Sequence, residues 1–405
     1  MKILFHPPFR RKSAPSLVLL VAIAMLGTMA LHMFVPALPA AAADLHASPG
    51  KIQLTVTLYL IGLAVGQLVY GPLSDRFGRR PLLLGGMTLY FVACIAAALA
   101  QSADTLIVAR VFQSLGGCAG LVLGRAMVRD GTTMDKAARR MSVLMTVMTI
   151  GPALAPAVGG YVTAFAGWRA TFAVLAIGGG ATLLLAVLLL AETHSQRRAT
   201  PGIGFILHGY RRLLGLGAFR GFALTGCCTS TSLYAYFTAS PFIFVNVMHR
   251  PLSEVGLYYM LVAGAMTVGT FASSRLLAMR IGSRPLIRVG TIIQLAGTLA
   301  LLATALAGVL GVATLVGAIM VVAVGSGLAA PNASICAVSV DAEAIGTASG
   351  LYGSLQMAFG ALCTLAVSAW HSNSAVPMAA VLAASALLAQ VSLAYALKTE
   401  ARGRA

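Results

Sequence analysis

Residues 71–81 read Gly71-Pro72-Leu73-Ser74-Asp75-Arg76-Phe77-Gly78-Arg79-Arg80-Pro81, with four charges packed into six positions. On either side, stretches 52–74 and 81–103 contain no Asp, Glu, Lys or Arg at all. A helix needs about 20 apolar residues to cross the hydrocarbon of a bilayer, and an unpaired charge at its centre costs several kcal/mol. The cluster therefore belongs on a turn at a membrane surface, between two membrane-crossing helices.

The rest of the chain extends that pattern. Hydrophobic residues make up 59% of the sequence and charged ones 9%, with a mean hydropathy of +0.90, far from a soluble composition. Charge-free stretches 13–43, 52–74, 81–103, 141–168, 170–191, 221–249 and 255–274 each supply one span. Stretch 105–128 supplies another, interrupted only by Arg110 and Arg125. The longer runs 289–340 and 344–397 break near Gly308–Gly311 and His371–Ser374, so each folds back as a hairpin. The expectation is an all-α membrane protein with twelve transmembrane helices.

Charge asymmetry orients these helices. Alternate turns on one side hold only Lys51, Arg169 and Arg250. The other side carries Arg76, Arg79, Arg80, Arg129, Lys136, Arg139, Arg140, Arg197, Arg198, Arg211, Arg212, Arg275, Arg280 and Arg284. The positive-inside rule places that side, and both termini, in the cytoplasm. The net charge of +18 then reads as topology and attraction to anionic lipid, not as a nucleic-acid footprint. Arg10-Arg11-Lys12 followed by an apolar run and Ala40–Ala43 imitates a secretory leader, but the uncharged run is long for one and an even number of spans fits the charge alternation. The six cysteines lack metal-ligand spacing, so they read as small packing residues and no metal site is expected.

The two halves look duplicated. Arg76-Phe77-Gly78-Arg79-Arg80-Pro81 recurs as Arg280-Ile281-Gly282-Ser283-Arg284-Pro285, 204 positions later in a chain of 405. Both copies join the second and third spans of a six-span half, as in a parallel repeat. The division expected is 1–192 for the first bundle, 193–219 for a cytoplasmic connection and 220–405 for the second bundle. Pro201-Gly202 and Arg211-Arg212 leave that connection open to two readings, an interfacial segment or a plain linker. No lysine lies in a phosphate-cradling glycine loop, so no ATP-driven step is encoded and no cofactor is expected. Concentrative transport would draw on an ion gradient.

The 71–81 cluster resembles the signature loop of major facilitator superfamily transporters, with nearly every position of that pattern filled. The resemblance implies a latch made by Gly71, Asp75, Arg76, Gly78, Arg79 and Arg80, with Asp75 touching the eleventh helix and a second acid, Asp130, ending the fourth. In the fourth span, Arg110, Gln113, Gly116, Gly117 and Gly120 match a second family pattern. Arg110 is there either an electrostatic element of a central cavity or a side chain reaching out to the interface. In the fifth span, Gly151-Pro152-Ala153-Leu154-Ala155-Pro156-Ala157-Val158-Gly159-Gly160 resembles the signature of drug:proton exporters, with Gly151, Pro152, Pro156, Gly159 and Gly160 as a pliable seal or a structural kink. Val35–Pro39, Ile52–Thr55, Arg125–Asp130, Gly167–Arg169, Ala239–Phe242 and Gly346–Gly353 narrow the resemblance to the bicyclomycin and chloramphenicol resistance (Bcr/CflA) subfamily.

One departure bears on coupling. Where that subfamily carries an aspartate in the first span, this chain has His32, and none of its ten acids lies mid-span. Imidazole, which ordinarily titrates near about 6.5, can carry a proton in place of a carboxylate; it can equally be a packing residue. A cavity whose ionisable groups are His32 and Arg110 suits neutral, zwitterionic or weakly acidic amphiphiles. Phe34, Tyr59, Gln113, Tyr234, Tyr236, Phe237 and Gln356 are its candidate lining. The function expected is efflux of drug-like molecules across the bacterial inner membrane by alternating access, in exchange for protons and by a monomer. A metabolite exporter or an uncoupled facilitator of the same fold are the alternatives. A membrane enzyme is excluded by the lack of a clustered acid, base or metal set.

Overall fold

The computed structural model describes residues 16–130, 134–193, 203–341, 344–370 and 374–404. Arg10–Lys12, residues 194–202 of the connection, and 371–373 at the second hairpin break lie outside them. Among the described residues there is no strand, and eleven helices are long and apolar enough to cross a membrane. In chain order these are the first span Leu17–Asp44, second Pro49–Phe77, third Arg79–Ala98, fourth Ala103–Arg129, fifth Arg139–Ala166 and sixth Trp168–Leu189. The eighth to twelfth follow as Glu254–Ala278, Ser283–Leu306, Val312–Val338, Ile345–Ala369 and Val376–Arg402.

The seventh crossing is the exception, because it is broken into Gly217–Thr231, Leu233–Phe242 and a π turn over Ile243–Val247. Its sequence explains the break. Thr229, Thr231 and Thr238 each turn a hydroxyl back onto the carbonyl four residues earlier, a bond that bends helices. Pro241 has no N–H for the carbonyl of Phe237, and that oxygen instead accepts from the Tyr259 hydroxyl at 3.3 Å. With this segment the described residues make twelve crossings, as expected. The connection between halves contains a further helix, Ile203–Gly215, which buries Leu213 and leaves Arg211 exposed.

Side chains turned outward from the spans are apolar, as at Leu188, Val268, Phe271 and Leu362, which is the surface a lipid environment requires. Small residues hold the helices together. A methyl added at Gly116 in the fourth span would sit 2.6 Å from the carbonyl oxygen of Gly86 and 2.4 Å from the amide of Tyr90, both in the third. The second half repeats the contact: a methyl added at Gly325 in the tenth span would sit 2.5 Å from Gly290 O and 2.7 Å from Gln294 N in the ninth. Gly86 and Gly290, and Tyr90 and Gln294, are again 204 positions apart, so the sequence repeat is a repeat of packing.

Candidate functional site: the seam between the halves and its basic turn

Spans of the two halves meet in pairs along the seam. At the end away from the basic turns, Gln53 in the second span donates to the carbonyl of Thr238 in the seventh at 3.2 Å. Thr57 and Thr364 share a hydroxyl bond of 2.8 Å between the second and eleventh spans. Gly160 of the fifth span lies against Leu252 and Gly256 of the eighth. His32 of the first span stacks on Tyr234, ring centroids 6.0 Å apart at 27°, and meets Phe237 edge-on at 5.6 Å, both in the seventh.

Farther along the same two helices the contact ends. Gln67 Nε2 still donates to the carbonyl of Gly353 at 3.3 Å. One turn on, Gly71 of the second span and Gly346 of the eleventh both have open space where a methyl would go. Helical spacing puts Gly71 on the face of Gln67, and Gly346 on the face of Gly350 and Gly353. The contact between the second and eleventh spans thus runs from Thr57 to Gln67 and gives way to open space at Gly71 and Gly346, toward the end that carries the basic turns.

That parting changes the reading of the 71–81 turn. The second span ends at Gly78, whose φ of 94° is left-handed, a conformation glycine adopts without steric cost. A side chain there would also collide with Glu192, since an added methyl would stand 2.9 Å from Oε2. Glu192, at the end of the sixth span, accepts the backbone N–H groups of Arg79 and Arg80 at 3.2 and 3.1 Å. It caps the N-terminus of the third span, where the helix dipole favours an anion. Arg79 Nε pairs with Asp130 Oδ2 at 2.7 Å, and Thr193 donates to the same carboxylate at 3.0 Å. Arg80 donates to the carbonyl of Val187 in the sixth span at 2.9 Å, and Arg76 lies over the ring of Phe77.

Asp75, expected against the eleventh helix, has Arg79 as its ion-pair partner at 3.9 Å and is half exposed. The turn therefore knits the second, third, fourth and sixth spans of one half together. Glu192 and Thr193 were not among the expected residues. Glu192 was visible as an acid ending a charge-free run, but nothing in the sequence tied it to a turn 112 residues earlier.

Arg110 does not reach out to the interface. It is fully buried in the first bundle, where Nη1 donates to the carbonyl of Ala30 at 3.0 Å and to Gln113 Oε1 at 2.6 Å. Its Cζ lies 4.0 Å from the ring centroid of Tyr59, 5.3 Å from Phe34 and 5.7 Å from Phe172. Three ring faces and a carbonyl thus hold the cation without an anion. Gln113 passes the bond on to Cys94 at 3.0 Å, and Tyr59 fastens to the carbonyl of Gly27 at 2.6 Å. Phe34, Tyr59 and Gln113, expected to line the cavity, are buried around Arg110. Tyr236 is buried as well, edge-on to Tyr259 at 5.5 Å.

Tyr234, Phe237 and Gln356 are partly exposed along the seam, and Gln356 donates to Ser230 Oγ at 2.7 Å. In the fifth span the helix runs unbroken through Gly151–Gly160. A methyl at Gly159 would fall 1.8 Å from the carbonyl oxygen of Met33, and one at Gly151 would fall 2.3 Å from Met25 Cε. Gly256 of the eighth span lies against Pro156 O and Ala157. The segment presses the fifth span onto the first on one side and the eighth on the other. The side chain of Pro152 lies outside the described residues.

A bundle of twelve apolar crossings, duplicated at half its length and split by a seam, defines a membrane transporter and not an enzyme. The chain belongs to the Major Facilitator Superfamily, whose pattern it matches over residues 17–364. It is 28% identical to a bicyclomycin resistance protein homolog of Haemophilus influenzae, over 88% of this chain and 89% of that one. It is 30% identical to a chloramphenicol resistance protein of Pseudomonas aeruginosa, over 91% of this chain and 88% of that one. Its fold matches the inward-facing, unoccupied structure of a bacterial homolog of the human lysosomal transporter Spinster with a TM-score of 0.70, at 13% identity and over 95% of each chain.

Proposed function

We propose that this transporter exports neutral to weakly acidic, drug-like amphiphiles across the bacterial inner membrane, exchanging them for protons as the seam opens alternately at its two ends. The basic turns and both termini face the cytoplasm, so the parted end is the one through which a molecule enters from inside the cell. The observation that carries the reading is His32. Among the described residues it meets the other half across the seam, stacked on Tyr234 and edge-on to Phe237. All the acids with described side chains sit near span ends, as with Asp44, Asp75, Asp130, Glu192 and Glu254. An imidazolium stacked on tyrosine gains a cation–π attraction that a neutral ring lacks, so proton binding and closure of this end favour one another. The names of the relatives, which refer to bicyclomycin and chloramphenicol, support antibiotic-like cargo.

Everted vesicles test both parts. Acidifying the lumen is expected to drive uptake of chloramphenicol or bicyclomycin by the native chain, and His32→Ala is expected to abolish that uptake while leaving the protein folded. Uptake that ignores the His32 substitution removes the proton role from this residue. Absence of uptake for every antibiotic in a panel, with the native chain folded and inserted, removes the drug reading.

A further inference from the structure

Two arginines interrupt the fourth span, and the structure treats them differently. Arg110 has its carbonyl, amide and aromatic cage. Arg125, four residues before the helix ends at Arg129, has no hydrogen bond, ion pair or ring contact among the described residues. It is half-buried, and its Nε is shut off from solvent without an acceptor. Four arginines around the basic end have partners: Arg79 has Asp130, Arg80 has Val187 O, Arg212 has Asp341 and Arg284 has Glu400.

Its position gives the unfilled valence a direction. Ser114 and Cys118 face the second span, against Gly62 and Gly66. Arg125 is seven residues beyond Cys118, about two turns farther on nearly the same face and roughly 10 Å toward the basic end. That register carries its position along the second span toward the level of Gly71, where an added methyl would meet open space. The acid of that stretch, Asp75, is paired with Arg79.

We propose that Arg125 binds an oxyanion at the mouth of the seam: the carboxylate, sulfonate or phosphate of an amphiphile entering from the basic end. A planar guanidinium with free donors takes such a group by two parallel hydrogen bonds. Its two sources are a transported organic acid and an anionic lipid headgroup reaching in from the membrane surface. Naming the organic acid as cargo rests on the export reading, but binding is measured without a gradient, so failure of drug uptake leaves this assignment standing and its own failure leaves export standing.

The experiment uses the full chain in nanodiscs of phosphatidylcholine, with radiolabelled 1-naphthoate and the uncharged 1-naphthamide as probes and empty discs subtracted. The native protein is expected to bind naphthoate at least about tenfold more tightly than naphthamide, the loss of one charge-assisted bond being worth that much. Arg125→Gln is expected to erase the difference and Arg125→Lys to keep part of it. Arg288→Gln, an exposed arginine of the ninth span, is expected to leave it unchanged. In discs containing phosphatidylglycerol, competition with naphthoate in the native protein but not in Arg125→Gln assigns the headgroup as a source, and undisturbed naphthoate binding assigns the free acid. The proposal falls if Arg125→Gln binds naphthoate and retains phosphatidylglycerol as the native protein does, or if it loses naphthoate and naphthamide alike.

Discussion

The two halves share a scaffold and differ in their chemistry. Each packs its fourth helix against its third through glycines at matching positions, Gly86 with Gly116 and Gly290 with Gly325. Each ends its sixth helix near an acid that serves the turn between its second and third, Glu192 in one and Glu400 in the other. Beyond this the correspondence stops. The first half buries a cation, Arg110, and ties its turn with the Arg79–Asp130 pair. The second half buries amides instead, Gln294 bonded to Cys228 O and Ser232, and Asn332 bonded to Ser273.

Where the first turn has Asp75, the second has Met279. Where the first turns left-handed at Gly78, the second does so at Arg280, with φ 65°, a conformation that costs a side-chain-bearing residue about 1 kcal/mol or more. Duplication preserved the parts that set helix spacing. The charges of the first half and the aromatic seam residues of the second, Tyr234, Tyr236, Phe237 and Tyr259, diverged around it.

The buried polar groups provide the strongest test of that contrast. Arg110→Ala is expected to empty the space among Phe34, Tyr59 and Phe172 and to leave the Ala30 carbonyl and Gln113 without their donor. The loss is about 3–5 kcal/mol, the range for truncating large buried side chains and breaking buried charged contacts. Gln294→Ala in the other half removes neutral bonds only and is expected to cost about 1–3 kcal/mol. Thermal unfolding in one detergent measures both, and equal falls in melting temperature would erase the difference drawn between the halves.

Of intermediate size is the effect of crowding the fifth span against the first. Gly159→Ala sets a methyl where only 1.8 Å separates it from the carbonyl oxygen of Met33, so the fifth and first spans must part, at about 1–3 kcal/mol. Gly264→Ala in the eighth span meets open space and is expected to be neutral or to stabilise by up to about 1 kcal/mol. Transport and melting temperature should fall together in the first variant and hold in the second. Should Gly264→Ala prove the more damaging, Gly159 is not what sets the fifth span against the first.

How far the sequence already displayed this arrangement depends on the range of the interaction. The spans were legible because the bilayer penalises charge along a single segment, so absence of Asp, Glu, Lys and Arg marks each crossing locally. The Gly78 turn was legible for the same reason, since a charge cluster and a glycine sit within one short stretch. Glu192 above the N–H groups of Arg79 and Arg80 was not, because that bond joins residues 112 or more positions apart. The position of Arg110 was not settled either. Its depth followed from counting, but the two readings the sequence left open were a cavity and the interface, and its turn into the bundle depended on Phe34, Tyr59 and Phe172, which lie on three other helices. The break at Ser232 was masked by uniform hydropathy across 221–249, although the run of hydroxyls before it and Pro241 carried the signal.

The smallest expected effect concerns the turns themselves. In the first half the pair joins side chains only 13% and 19% exposed, and its carboxylate also accepts from Thr193. In the second, Arg284 and Glu400 are 42% and 23% exposed. Screening by water weakens the second pair more than the first. Asp130→Asn is therefore expected to destabilise by about 1–2 kcal/mol, since it leaves Arg79 facing a neutral amide within a half-closed site. Glu400→Gln is expected to cost no more than about 0.5 kcal/mol. Raising salt should narrow the gap between native protein and Glu400→Gln while leaving that for Asp130→Asn nearly intact, because exposed pairs are screened within a Debye length and enclosed ones are not. If both variants respond to salt alike, the first turn is no more enclosed than its copy, and its extra acid and threonine do not distinguish the two halves.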